Sequence, residues 1–243
     1  MTIPEPLMVP SIPARLAGAA LSLMLLAGCA GSTAPGVGMA EPANLGQVKR
    51  EVTRYQESGA YDRDLAAVAA EARAWVETRA GQVERPAIVL DIDETSLSNW
   101  RQLKLNDFGY LRAGGCDLER GPCAAPAWED MGIAPPIRPV LELFRAARAR
   151  GVAVFFITGR RENQRAGTEK NLRDAGFEGW AGVAMRPAEG PRLPAAEFKS
   201  AARAGIEAQG YRIIANVGDQ ASDLEGGHAE KAFKLPNPFY VVD

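Results

Sequence analysis

Ile88-Val89-Leu90-Asp91-Ile92-Asp93-Glu94-Thr95 is an apolar run that ends in two carboxylates one residue apart. A short buried strand ordinarily closes in Gly, Asn or Ser. Here Asp91 and Asp93 would stand together at the carboxyl end of a strand, the edge at which open α/β sheets bind ligands. Two carboxylates held that close repel each other unless a cation, a shared proton or a phosphoryl group compensates.

Working outward, apolar runs alternate with helical patterns. Val152-Ala153-Val154-Phe155-Phe156-Ile157, the short Gly182-Val183-Ala184-Met185 and Arg212-Ile213-Ile214-Ala215-Asn216-Val217 read as strands, and Lys231 to Leu235 as a final edge strand stopped by Pro236. Helices are expected at Val140–Arg150, at about 163–175 and at Ala196–Gln209. Buried strands separated by helices call for an α/β three-layer sandwich with a mostly parallel central sheet. Upstream, Leu45–Glu57 and Tyr61–Ala80 read as a helical appendage. Ser96 to about Pro139 is a small insert after the first strand, and it holds Trp100, Phe108, Tyr110 and Trp128.

Each main strand ends in chemically useful groups. The first delivers Asp91 and Asp93, and the second Thr158-Gly159-Arg160, a hydroxyl with a permissive glycine. The last delivers Asp219 and Asp223 in Gly218-Asp219-Gln220-Ala221-Ser222-Asp223, while Lys199 sits near the start of a helix. Parallel strands put their carboxyl ends on one edge, so these groups can converge. Four carboxylates, a hydroxyl and a lysine suit a divalent cation with a phosphate, and an all-oxygen ligand set suits Mg²⁺.

With these residues in place, the chain resembles a haloacid dehalogenase-superfamily phosphatase of the acid phosphatase group, which includes plant vegetative storage proteins and bacterial lipoprotein acid phosphatases. The resemblance runs from about residue 45 to the C-terminus. It rests on Asp91-Ile92-Asp93-Glu94-Thr95 with Leu97-Ser98-Asn99, on Phe156-Ile157-Thr158-Gly159-Arg160 followed by Thr168 to Leu172 and Ala175-Gly176-Phe177, on Phe198-Lys199-Ser200, on Gly218 to Leu224, and on Phe233-Lys234-Leu235-Pro236-Asn237-Pro238. It implies hydrolysis of small phosphomonoesters through an aspartyl-phosphate. Asp91 would be the nucleophile, and Asp93 the acid and then the base, its pKa raised by Asp91. Mg²⁺ would lie between Asp91, the Asp93 carbonyl and Asp219, with Asp223 reached directly or through water. Thr158, Gly159 and Lys199 would hold the phosphoryl oxygens. A catalytically weak storage or binding protein, and a phosphotransferase, are the alternatives on the same residues.

Other residues carry less. A single histidine, His228, leaves no basis for histidine-nucleophile or histidine-rich binuclear phosphatases and is read as non-catalytic. Arg160 and Arg161 read as solvated or structural. Glu94 is open between a solvated carboxylate and a partner of the site. Ser96 and Ser222 lack a histidine base. The four aromatics of the insert read as packing, with one of them left as a candidate to line the substrate pocket.

The N-terminus concerns location. Leu16 to Gly28, about 13 residues and preceded by Arg15, is too short for a bilayer, which takes roughly 20, and fits the apolar part of a secretory signal. Its ending Leu26-Ala27-Gly28-Cys29 resembles a bacterial lipobox, so residues 1–28 are read as a lipoprotein-type signal peptide with Cys29 lipidated. An ordinary cleaved signal is the alternative. Residues 29–44 read as a tether, and residues 45–243 as the phosphatase domain with its insert at about 96–139. An outer-membrane lipoprotein facing the bacterial periplasm is expected, attached through its lipid. The remaining cysteines, Cys116 and Cys123, flank a short loop, and an oxidising compartment favours a disulfide between them. A formal net charge of −2 offers no basic footprint for a nucleic-acid duplex.

Overall fold

The computed structural model describes residues 41–191 and 193–242. Every element lies in the unit Ala43–Asp243. The expected signal peptide, the expected lipidation at Cys29 and most of the expected tether fall outside the described residues.

Five strands form one parallel sheet: β1 (Pro86–Leu90), β2 (Ala153–Arg161), β3 (Gly182–Arg186), β4 (Arg212–Gly218) and β5 (Ala232–Lys234), in the order β3-β2-β1-β4-β5. The expected "mostly parallel" sheet is thus wholly parallel among the described residues. From β1 the chain adds β2 and β3 on one side, then crosses to add β4 and β5 on the other. The direction of winding reverses between β1 and β4, and the carboxyl edge at such a switch point is where open α/β sheets bind ligands.

Side chains alternate across the pleat. Ile88, Leu90, Val154 and Phe156 enter the larger core, and Ala87, Val89, Phe155, Ile157 and Ile213 the smaller one on the other face. The larger core is covered by α2 (Ala60–Arg79), α5 (Arg138–Ala149) and α6 (Arg165–Asp174); the smaller meets Ile206 of α7 (Ala195–Ala208). The helix α2 packs on the domain, as expected of the N-terminal helical segment, and is more deeply built in than an appendage. Tyr61, Leu65, Ala72 and Val76 are buried in the main core, and it forms part of one layer of the sandwich. By contrast α1 (Leu45–Glu57) buries no residue fully.

A register shift in β4 pairs Ile213 with Ala87 and Ala215 with Ile88, skipping Ile214. The indole N–H of Trp75 on α2 donates to the Ile214 carbonyl at 2.7 Å. A backbone group passed over by the ladder thus anchors the covering helix.

The insert holds two short helices that its mixed composition hid, α3 (Trp100–Leu105) and α4 (Ala125–Met131). Between them Cys116 and Cys123 form the expected disulfide. Cys123 is buried, and Asn106 binds it through both main-chain groups. A last short helix, α8 (Ala221–Leu224), follows β4.

Candidate active site

Asp91 follows β1 directly, and its N–H donates to the Val217 carbonyl at 3.0 Å, placing it beside the end of β4. Beyond it the chain turns sharply. The Ile92 carbonyl accepts the N–H groups of Ser96 and Leu97, and Ser96 Oγ donates to the Asp91 carbonyl at 2.6 Å. Glu94 adopts φ 54°, a left-handed conformation that costs a non-glycine residue about 1 kcal/mol or more. Its carboxylate offsets the strain by accepting the Asn99 N–H at 2.6 Å and the Tyr240 hydroxyl at 3.0 Å.

Oxygens of Asp91, Asp219 and Asp223 all lie within 4.8 Å of one another, and all three residues are buried. Asp219 comes straight off β4. Its carboxylate accepts from Thr95 Oγ1 at 3.0 Å, Gln220 Nε2 at 2.6 Å and Asn237 Nδ2 at 2.7 Å. Asp223 swings back from α8 against β4, and a Cβ at Gly218 would meet the Asp223 Cβ at 2.4 Å. The glycine is required there by that close approach. Arg203 of α7, fully buried, donates to the carbonyls of Asp223, Glu225 and Gly227 and fixes this loop.

Lys199 enters the cluster from α7. Its Nζ lies 2.5 Å from both Asp91 Oδ1 and Asp223 Oδ1. Burial opposes its charge, but the two carboxylates outweigh burial and hold the ammonium above the ordinary lysine range. Burial pushes Asp91 well up, opposed by Lys199 and reinforced by Asp223 and Asp219. Burial likewise raises Asp219, with Asp223 adding to it. Three carboxylates face one ammonium, so full ionisation leaves two negative charges uncompensated. The donor set, all carboxylate oxygen with an excess charge of two, fits a divalent cation.

Asp93 points elsewhere. Its carboxylate accepts from Arg160 at 2.7 Å (Nη2) and 3.1 Å (Nε), and from Asn99 Nδ2 at 2.9 Å. The expected rise in its pKa is overturned. Burial does push it up, but Arg160, by charge and hydrogen bonds, and Asn99 together hold Asp93 below the usual carboxylate range. Asp91 is the neighbour visible in the sequence, but Arg160, expected to be solvated or structural, has a side chain 1 % exposed that pairs with Asp93. Arg161 donates to the carbonyls of Pro187 and Ala188, a structural role.

Thr158 is buried, and its hydroxyl oxygen accepts the Arg160 N–H at 3.1 Å. Gly159 needs no special conformation, and a Cβ there would meet nothing within 4 Å. Open space, rather than backbone strain, distinguishes that position. Glu94 is buried and accepts from Asn99 and Tyr240, a partner of the site rather than a solvated carboxylate, and burial pushes it up to about 8. His228 pairs on the surface with Glu207 at 2.7 Å. Among the insert aromatics, Trp128 is buried with its indole on Asn99, Trp100 and Phe108 pack on Phe239, and Tyr110 is 63 % exposed.

Sequence reasoning missed Asn99, Trp128, Glu129, Gln220, Asn237 and Tyr240 as supports of the site. Glu129 of α4 is pushed up to about 7 by burial and by Asp93. Asn99, Gln220 and Asn237 did fall within the motifs quoted above, but an amide carries no sign of which carboxylate it will meet.

A parallel sheet with a carboxylate cluster and a buried lysine at its switch point is the architecture of a haloacid dehalogenase-like phosphatase. Residues 34–243 match the family HAD superfamily, subfamily IIIB (Acid phosphatase), and the chain belongs to it, with the enzyme class of a phosphomonoesterase. It is 31 % identical over 193 residues to Acid phosphatase 1 of Solanum lycopersicum, covering 79 % of this chain and 73 % of that protein. It is 30 % identical over 155 residues to Vegetative storage protein 1 of Arabidopsis thaliana, covering 63 % and 54 %. In fold it is similar to the class C acid phosphatase from Bacillus anthracis, with a TM-score of 0.63 at 20 % identity over 81 % of this chain and 86 % of that one.

Proposed function

We propose that the protein is a Mg²⁺-dependent acid phosphatase that hydrolyses small phosphomonoesters through a phosphorylated Asp91. The observation that carries the proposal is the Asp91–Lys199–Asp223 group with Asp219 beside it, buried at the switch point. Asp91, Asp219 and Asp223, with the Asp93 carbonyl, would hold the cation. When bound, the cation supplies the positive charge that lets a phosphate dianion approach a carboxylate.

In the first step Asp91 Oδ bonds to phosphorus, the bond to the leaving oxygen breaks, and that oxygen takes a proton from Asp93. In the second step Asp93 takes a proton from water, whose oxygen bonds to phosphorus as the Asp91–phosphate bond breaks. Lys199, Thr158 and the Gly159 backbone hold the phosphoryl oxygens as charge shifts among them. Because Arg160 favours the ionised form of Asp93, the first step needs a proton from outside the pair. Acid solution supplies it, on Asp93 or on a substrate monoanion, whose second pKa is about 6.

Storage relatives motivate the rival reading, which expects the nucleophile to be dispensable; here Asp91, Asp93, Lys199 and Asp219 are all retained. The test is kcat/KM over nucleotide, sugar and aryl phosphates, with EDTA and with Mg²⁺ restored. Turnover that vanishes with EDTA and returns with Mg²⁺ supports the proposal, and full metal-free turnover contradicts it. Transfer to added alcohols in preference to water would make it a phosphotransferase.

The proposal includes location. The Leu26-Ala27-Gly28-Cys29 ending and the Gly-, Ala- and Pro-rich segment after it support an acylated Cys29 that tethers the domain to the bacterial outer membrane. Among the described residues no helix is long and apolar enough to cross a membrane. In a bacterial host Cys29→Ser should abolish acylation and detergent partitioning while leaving the specific activity intact. An unmodified mature N-terminus in the wild type, seen by mass spectrometry, would remove the anchor.

A further inference from the structure

The Asp93 carboxylate is held from two sides, and one of them belongs to the insert. From the sheet, Arg160 spans both Asp93 oxygens and also donates to Thr168 Oγ1 at 3.2 Å. From the other side, Asn99 Nδ2 donates to Asp93 Oδ1 and to Glu94 Oε2, each at 2.9 Å. An amide can be turned either way in a pocket, and here both of its ends are fixed, the NH₂ by two carboxylates and the oxygen by a third group. Trp128 Nε1 of α4 donates to Asn99 Oδ1 at 2.7 Å. An indole nitrogen is a donor only, so it commits the Asn99 oxygen to itself and the NH₂ to the carboxylates. The reversed amide would set its oxygen against Asp93 and Glu94 and its NH₂ against another donor. Trp128 is 2 % exposed, and its main-chain N–H starts α4 by donating to Ala124, the residue after the disulfide-bonded Cys123.

We propose that Trp128 and Asn99 are positioning residues for the acid–base step, so that the insert helix α4 sets the aim of the Asp93 carboxyl at the leaving oxygen. The inference rests on the reading of Asp93 as the general acid. A carboxyl free to rotate still neighbours the site but delivers its proton poorly, and misplacement by about 1 Å can cost on the order of a hundredfold. The loss falls where protonation matters. A nitroaryl leaving group departs without help, whereas an alkoxide does not. The same logic makes the insert more than a cover, because its helix bears on the rate and not only on access.

The test is kcat/KM with saturating Mg²⁺ over phosphomonoesters of rising leaving-group pKa, from nitrophenyl to alkyl phosphates. The parameter kcat/KM reports steps up to the first phosphoryl transfer, so hydrolysis of the phosphorylated enzyme does not blur it. Asp93→Asn should lose roughly 10²–10⁴-fold with alkyl phosphates and far less with nitroaryl ones. Trp128→Phe, which removes the indole N–H and keeps an aromatic ring, should show the same slope more weakly, about twofold at the nitroaryl end and about twentyfold at the alkyl end. Should Trp128→Phe fail to fold, Asn99→Ala, which leaves the indole in place, should steepen the series likewise. A uniform fall across the series, or none, in a folded variant overturns the inference while a steep Asp93→Asn series leaves the acid in place. A flat Asp93→Asn series removes the acid assignment, and the inference with it.

Discussion

Asp91 and Asp93 are separated by a single residue, yet they belong to two different electrostatic regions. On the β4 side, Asp91 and Asp223 share Lys199 with Asp219 beside them, and the region carries an excess of negative charge. On the insert side, Asp93 meets Arg160 in a closely balanced pair, with Asn99 and Trp128 behind it. The excess of negative charge suits the first region to the cation proposed above. The second is built to hold one carboxylate still. The turn after Asp91 separates the two: on a regular strand residues i and i+2 would share a face, but here the chain sends Asp93 toward β2 and the insert instead.

The largest expected effect breaks that division of labour. Asp91→Asn should lower kcat by several orders of magnitude with every substrate, since the amide does not attack phosphorus, while circular dichroism and the denaturation midpoint stay close to the wild type. A second substitution probes the charge excess of the β4 side. Asp219→Ala removes one carboxylate and strands Asn237 and Gln220, and it should weaken Mg²⁺ binding by tenfold or more, read by titration calorimetry. Asn99→Ala, on the insert side, should leave Mg²⁺ affinity within about twofold. Equal losses of affinity in both variants would erase the distinction between the regions.

The insert is expected to respond to the disulfide. Replacing Cys116 and Cys123 by Ser removes a cross-link closing a short loop, worth about 2.5 kcal/mol by loop entropy. The midpoint in urea should fall accordingly, and proteolysis should begin in the segment between α3 and α4 rather than in the sheet. A smaller effect concerns acid stability away from the site. Glu230, bonded to Arg79 and Arg212, is lowered from 4.5 to about 2 by those hydrogen bonds. A depressed folded-state pKa contributes stability that is fully present above the unfolded value near 4.5 and is lost as pH falls toward 2. Glu230→Gln should therefore cost about 1 kcal/mol at pH 7, after allowance for solvent around Arg212, and only a small fraction of that at pH 2.

Much of this was legible in the chain. The strands and the long helices follow from apolar runs and helical spacing, and Asp91, Asp219, Asp223 and Lys199 converge because parallel strands share a carboxyl edge. The layer formed by α2 was not legible, because periodicity shows that a face is apolar but not what covers it. The short helices α3 and α4 carry too few turns for a period to show. The Arg160–Asp93 pair escaped for a different reason. Arg160 reads as surface until the chain beyond β1 turns, and that turn depends on Glu94 in a left-handed conformation held by Asn99 and Tyr240. A charge expected from one neighbour was reversed by another that only the fold brings near.

The assignment of attack to Asp91 and of proton transfer to Asp93 is tested most directly by fluoroberyllate, which mimics a phosphoryl group on a carboxylate. In the presence of Mg²⁺ a crystal structure of the complex should show beryllium bonded to Asp91 Oδ, with Lys199 Nζ on a fluorine and Asp93 unmodified. Beryllium on Asp93, or on no carboxylate at all while the protein is active under the same conditions, would contradict the account.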